Sequence, residues 1–278
     1  MTTNAQIKLD KNRVPVLPPN IQYLLKSLTD EKLEFHEIAQ TIEPYPSITA
    51  RLIGLANSAW SSPASPVTSI EVACSRLGMD VVRSTCIALV VSSPFNTARC
   101  PTFDGQIFWA RAMLVAEVCT WLAQASENNV AVDTLRTTGL LHNLGLLLMA
   151  DQLPDEVNQV LLQHQKEPDS SLGQMMLDVI GYDYAESGAF VGQAWGLPPC
   201  IVESIRYQRE FLSTQNNVNT AVLGHACAMI EASERNDPWV IPLSLPATLA
   251  IRAQDAEKIY SRIEGYAGQV RKLAEALF

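Results

Sequence analysis

The chain has 278 residues, 18% of them charged and 47% hydrophobic, and 20 Lys+Arg against 29 Asp+Glu give a net charge of −9. That balance fits one large or two small globular domains with a substantial core. It excludes a global basic footprint for nucleic acid, and no local Lys/Arg cluster stands out, so nucleic acid is not an expected partner. The six cysteines occur singly and form no C-x-x-C, so neither a zinc ribbon nor a disulfide framework is indicated. They read as reduced, mostly buried thiols of a cytosolic protein. The start, Met1-Thr2-Thr3-Asn4-Ala5-Gln6, is polar and has no apolar signal core. The longest apolar runs, 87–91 and 144–150, are too short to span a bilayer. A cytoplasmic protein without membrane insertion is expected.

Nearly every segment repeats its apolar residues at helical period. Leu24, Leu25 and Leu28 form a first face; Phe35, Ile38, Ala39 and Ile42 form a second, ending before Pro44. Ile48, Leu52, Ile53, Leu55 and Ala56 form a third, with Ser47 placed to cap it. Ile70, Ala73, Cys74 and Leu77 make a fourth helix stopped by Gly78, and Val81 to Val90 a fifth, more fully apolar one. Two prolines, a glycine and polar residues then break the pattern over 92–105, which reads as a subdomain boundary. A long helix follows over 106–125, and a second over 133–150 carries His142. Shorter helices are expected at 171–180, 184–195, 199–211 and 220–233. The tail, 255–278, is amphipathic through Ile259, Ile263, Tyr266, Val270, Leu273 and Leu277, and is suited to cover the core or an oligomer partner. No alternating strand pattern occurs, so the expected fold class is all-α.

Motifs recur in a fixed order. Leu17-Pro18-Pro19, Glu43-Pro44, Leu55-Ala56-Asn57-Ser58-Ala59-Trp60, Val67-Thr68-Ser69-Ile70 and Leu77-Gly78 come first. Phe108-Trp109, Leu140-Leu141-His142-Asn143-Leu144-Gly145, Gly188 and Trp195-Gly196-Leu197-Pro198-Pro199 continue the series. Together they resemble the HDOD family, an output module of bacterial signalling, over roughly residues 14–212. The resemblance implies an all-helical fold related to HD phosphohydrolases. In it an amino-terminal bundle, 14–100, packs on an HD-like bundle with a helical tail, 101–278.

The same resemblance locates a site and shows it altered. His142-Asn143 falls where an HD enzyme carries His-Asp, two neighbouring metal ligands. Asparagine has a carbonyl oxygen but no charge to offset a divalent cation or hold a metal-bound hydroxide. The other ligand positions fall near Arg111, Tyr184, the pair Tyr207-Gln208, and Cys227. A cation at Arg111 opposes metal binding, so no resident metal or cofactor is expected and no catalytic residue is assigned. The expected vestigial pocket is Arg111, His142, Asn143, Tyr184 and Tyr207. Asp183 and Glu186 share a helical face and could replace ligands, although acids there also suit a helix amino terminus. His36 and His164 lie in polar surroundings, while His225 reads as a packed histidine. No P-loop, G-x-S-x-G or H-E-x-x-H is present.

The sequence therefore points to an inactive HDOD-type scaffold acting through a regulatory protein partner. Arg111 would also suit a small anionic ligand in the vestigial pocket. The alternatives are a metal-dependent phosphohydrolase with non-standard ligands, or a nucleotide sensor without turnover. Asn57 is expected to tie its helix end to a neighbouring loop. Trp60 is expected to close the core, at a cost of about 3–5 kcal/mol on truncation if its ring is buried. Gly196 and the prolines after it read as a helix stop and restart.

Overall fold

The computed structural model describes residues 14–28, 33–61, 65–128, 130–212, 217–237 and 249–278; Met1 to Gln6 lie outside them. Among the described residues every regular element is helical. The first bundle holds α1 (Pro19–Leu28), α2 (Phe35–Ile42), α3 (Pro46–Ala56), α4 (Ile70–Leu77) and α5 (Met79–Ser92). Local chemistry fixes their ends. Glu34 and Glu37 form a capping box at α2, and the Ser69 hydroxyl accepts from the Val72 N–H at 3.3 Å at α4. Gly78 stops α4 with φ +84°, a conformation that needs glycine, and α5 restarts at once. Ser47 does not cap α3: the helix begins one residue earlier at Pro46, whose fixed φ and missing N–H suit a first turn.

The Asn57 side chain does what its position after α3 implies. It donates to the Ile53 and Val67 carbonyls at 2.9 and 2.7 Å and accepts from the Val67 N–H at 2.8 Å. Trp60 is only half-buried against the core, so the expected cost of its truncation shrinks. Trp60→Ala is expected to lower stability by about 1–2 kcal/mol, in proportion to the partial burial of its ring. Urea denaturation checks this, and a loss above about 3 kcal/mol would mean a fully buried indole.

The second bundle holds α6 (Gly105–Ala125), α7 (Val132–Leu141), α8 (Leu144–Gln152), α9 (Pro154–Lys166), α10 (Leu172–Ile180), α11 (Tyr184–Ala194), α12 (Pro199–Tyr207), α13 (Val218–Glu234) and α14 (Ala253–Leu277). The helix expected over 133–150 is in fact two, broken at His142 and Asn143. Glycines set the crossings around this break. Gly139 lies against the backbone of Ala116 on α6, where an added Cβ would come within 2.7 Å. Gly145 faces the backbone of Tyr184 and Gly188 on α11. At the end of α11, Gly196 takes φ +68° and the Leu197 N–H reaches back to the Gly192 carbonyl at 2.9 Å, the stop expected there.

One apolar core runs through both bundles, from Val14 to Leu277, and a second lies beneath α6, α13 and α14. The tail helix α14 buries Ile259, Ile263, Val270, Leu273 and Leu277. Polar and aromatic contacts fasten the bundles. Arg136 on α7 pairs with Asp80 on α5 at 3.2 Å and with Glu117 on α6. The Trp195 indole donates to the Pro15 carbonyl at 2.7 Å. The Arg51 guanidinium donates to the Leu277 carbonyl; within the second bundle the Phe278 ring stacks on Trp109 with centroids 5.6 Å apart. No described helix is long and apolar enough to cross a membrane.

Candidate functional site

The break between α7 and α8 places His142 in the interior, 2% exposed. Its Nδ1 donates to the Gly139 carbonyl at 2.6 Å, which leaves Nε2 with the lone pair. The Gln208 amide, just past the end of α12, donates to the carbonyls of His142 and Ile205, both at 2.9 Å, and so holds the turn. Burial pushes the imidazole pKa down to about 3; the Gly139 bond opposes the shift and Arg111 adds to it. The ring is therefore neutral at ordinary pH. Asn143 opens α8 without capping it, and its Oδ1 is buried with no hydrogen-bond partner among the described residues.

Arg111 projects from α6 toward α13. Its Nη2 lies 3.1 Å from the Glu231 carboxylate and its Nη1 pairs with Glu234. Burial works against its charge, but Glu234 and Glu231 outweigh burial and hold its pKa above the ordinary arginine value. The same charge acts on three neighbours: His142, Tyr184 and Cys227. Burial pushes the Cys227 thiol up to about 12 against the pull of Arg111. Tyr184 is raised too, by burial first and then by Cys227 and Glu231. Both groups stay protonated and uncharged. Arg111 also forms part of the wall of a groove of about 650 Å3 between α6, α13 and α14.

Residues 14–211 match the HDOD domain. The chain belongs to the HDOD family. Solved structures share the HDOD architecture at low identity. A Marinobacter aquaeolei VT8 protein provisionally assigned to signal transduction superposes with a TM-score of 0.82 at 20% identity, over 95% of this chain and 59% of that one. A Shewanella amazonensis SB2B protein provisionally assigned as a phosphohydrolase gives 0.73 at 23% identity, over 99% and 98%. An HDOD domain protein of unknown function from Geobacter sulfurreducens gives 0.71 at 21%, over 95% and 93%. An uncharacterised Treponema pallidum (strain Nichols) protein is 22% identical over 252 residues, and the chain spans 44% of its length.

The residues present in this HDOD chain do not fit the divalent metal of an HD phosphohydrolase. Arg111 brings a positive charge that acts on His142, and the two carboxylates beside it are already paired with it. Asn143, Tyr184 and Cys227 add no negative charge. Among the described residues no three His, Cys, Asp or Glu side chains converge as a metal site would require. The Asp183 carboxylate is already engaged: it caps α11 by accepting from the Glu186 N–H at 2.8 Å and pairs with Arg209.

Other residues fall differently from the sequence reading. Tyr207 is 41% exposed, and it is the adjacent Gln208, 4% exposed, that reaches His142. Arg111 already holds two carboxylates, so the case for it as a receptor for a small anion is weakened on charge grounds. Glu231 and Glu234 escaped the reading altogether. Their signal was the helical spacing from Cys227, which puts Glu231 one turn along the same face. Two histidines fall as read: His36 is exposed beside Glu71, and His225 is buried edge-on to the Phe211 ring at 4.9 Å.

Proposed function

We propose that this HDOD chain is a catalytically inactive regulatory module that works by binding a protein partner. The observation that carries the reading is the ion triad of Arg111 with Glu231 and Glu234, a fixed cation at a metal-ligand position. His142 supports it: the ring is neutral and its Nδ1 is tied to its own helix, and no second imidazole joins it. A module of this kind can lose ligands and retain packing, because core burial and metal chemistry use different side chains. The binding surface belongs to both bundles, 14–100 and 101–278.

Catalytic silence is tested by turnover. Wild type and Asn143→Asp, each supplied with manganese, iron or zinc, are expected to hydrolyse neither phosphodiester nor nucleotide substrates. One restored carboxylate leaves Arg111, Tyr184 and Cys227 where they are. Metal-dependent turnover lost in a folded His142→Ala protein would overturn the proposal. Partner binding is tested by capture from bacterial cytoplasm. The same proteins are expected on wild type and on His142→Ala, and their loss from the variant alone would return function to the pocket.

A further inference from the structure

We propose that the outer face of α14 is a two-fold interface between two copies of this chain, centred on Ala267 and Gly268. The proposal does not rest on catalytic silence. One face of α14 is committed to the core. On the other, Glu264, Gly268, Arg271 and Glu275 are exposed at helical spacing, and with Ala267, half-buried at the margin of the core, they line one wall of the groove of about 650 Å3. The facing wall comes from α6, with Ile107, Ala110 and Leu114. Ile107 is 68% exposed, so the groove presents apolar surface in a monomer.

Charge identifies the occupant. Glu264 and Arg271 form no ion pair with any other described residue. Glu264 lies three residues before Ala267, and Arg271 three residues after Gly268. A two-fold axis between Ala267 and Gly268 would set two α14 helices antiparallel. Glu264 of each copy would then face Arg271 of the other, twice over. An isologous interface requires this self-complementarity, in which residue i meets j and j meets i. The centre is also open. A Cβ added at Gly268 would meet no atom within 4 Å, so a second backbone can approach closely there. A foreign helix would have to carry matching charges in reverse order; a second copy carries them already.

Sedimentation velocity on the full chain over a concentration series tests this. Wild type is expected to dimerise reversibly. Glu264→Arg alone and Arg271→Glu alone each put like charges opposite one another at two symmetry-related contacts, and each should weaken dimerisation at least about tenfold. An equimolar mixture of those two variants should associate again, because both contacts then set an arginine against a glutamate. Gly268→Gln should leave the protomer folded, since it replaces a poor helix former on an open face, yet weaken the dimer by filling the crossing. Wild type that stays monomeric throughout would overturn the proposal. So would reversal variants that dimerise like wild type, or a mixture of them that stays monomeric.

Discussion

Gly145→Ala is expected to destabilise the protein by about 3 kcal/mol or more, more than most single substitutions. The added methyl would meet the Tyr184 carbonyl and the Gly188 N–H of α11, and the Ser187 Cβ at 2.8 Å. Two of these obstacles are backbone, which cannot rotate away, so the helices must separate. Separation would loosen the turn at His142 and its bond from Gln208. Gly188→Ala should be milder, because its nearest obstacles, the Ile205 Cγ2 methyl at 3.0 Å and the Gly145 nitrogen at 3.1 Å, stand farther off. Urea and thermal denaturation of both variants check the order. A loss for Gly145→Ala within about 1 kcal/mol of wild type, small for an overpacked site, would show that α8 and α11 have room to spare.

Acid should destabilise the fold well before most carboxylates titrate. His142 and His225 have pKa values pushed by burial to about 3 and about 4, against roughly 6.5 in an unfolded chain. Between those values the unfolded state binds protons that the folded state refuses. The contribution is therefore intact above about pH 6.5 and is lost as pH falls toward the folded values. Each imidazole adds a slope of up to about 1.4 kcal/mol per pH unit in that window. Glu117, raised by burial beside Arg136, acts in the opposite sense just above the ordinary carboxylate range, within the same window. Denaturation midpoints at pH 7, 6 and 5 measure the slope, and His142→Gln should reduce it by about one proton's worth. A flat profile over that range would mean that both rings already reach water.

Much of the architecture was legible because burial imposes its period on the sequence. The faces of α1 to α5, the stop at Gly78 and the Asn57 tie follow from residues close together in the chain. The break at His142 was not legible. The apolar run continues through it, and what holds the turn includes Gln208, from a different helix. The direction of Arg111 was hidden for the same reason, since its partners Glu231 and Glu234 lie on α13. Trp60 shows the converse limit. A tryptophan inside a recognisable motif reads as core, but its degree of burial depends on neighbours that the local sequence does not name.

The triad of Arg111, Glu231 and Glu234 carries one more consequence. A metal ion is an exchangeable part whose occupancy follows supply and can be stripped by a chelator. A guanidinium is covalently part of the chain and stays charged at any pH the protein survives. The seam between α6 and α13 is thus held by a cation present in every molecule from the moment of folding. Its integrity is independent of iron starvation, zinc excess or oxidation of a bound metal.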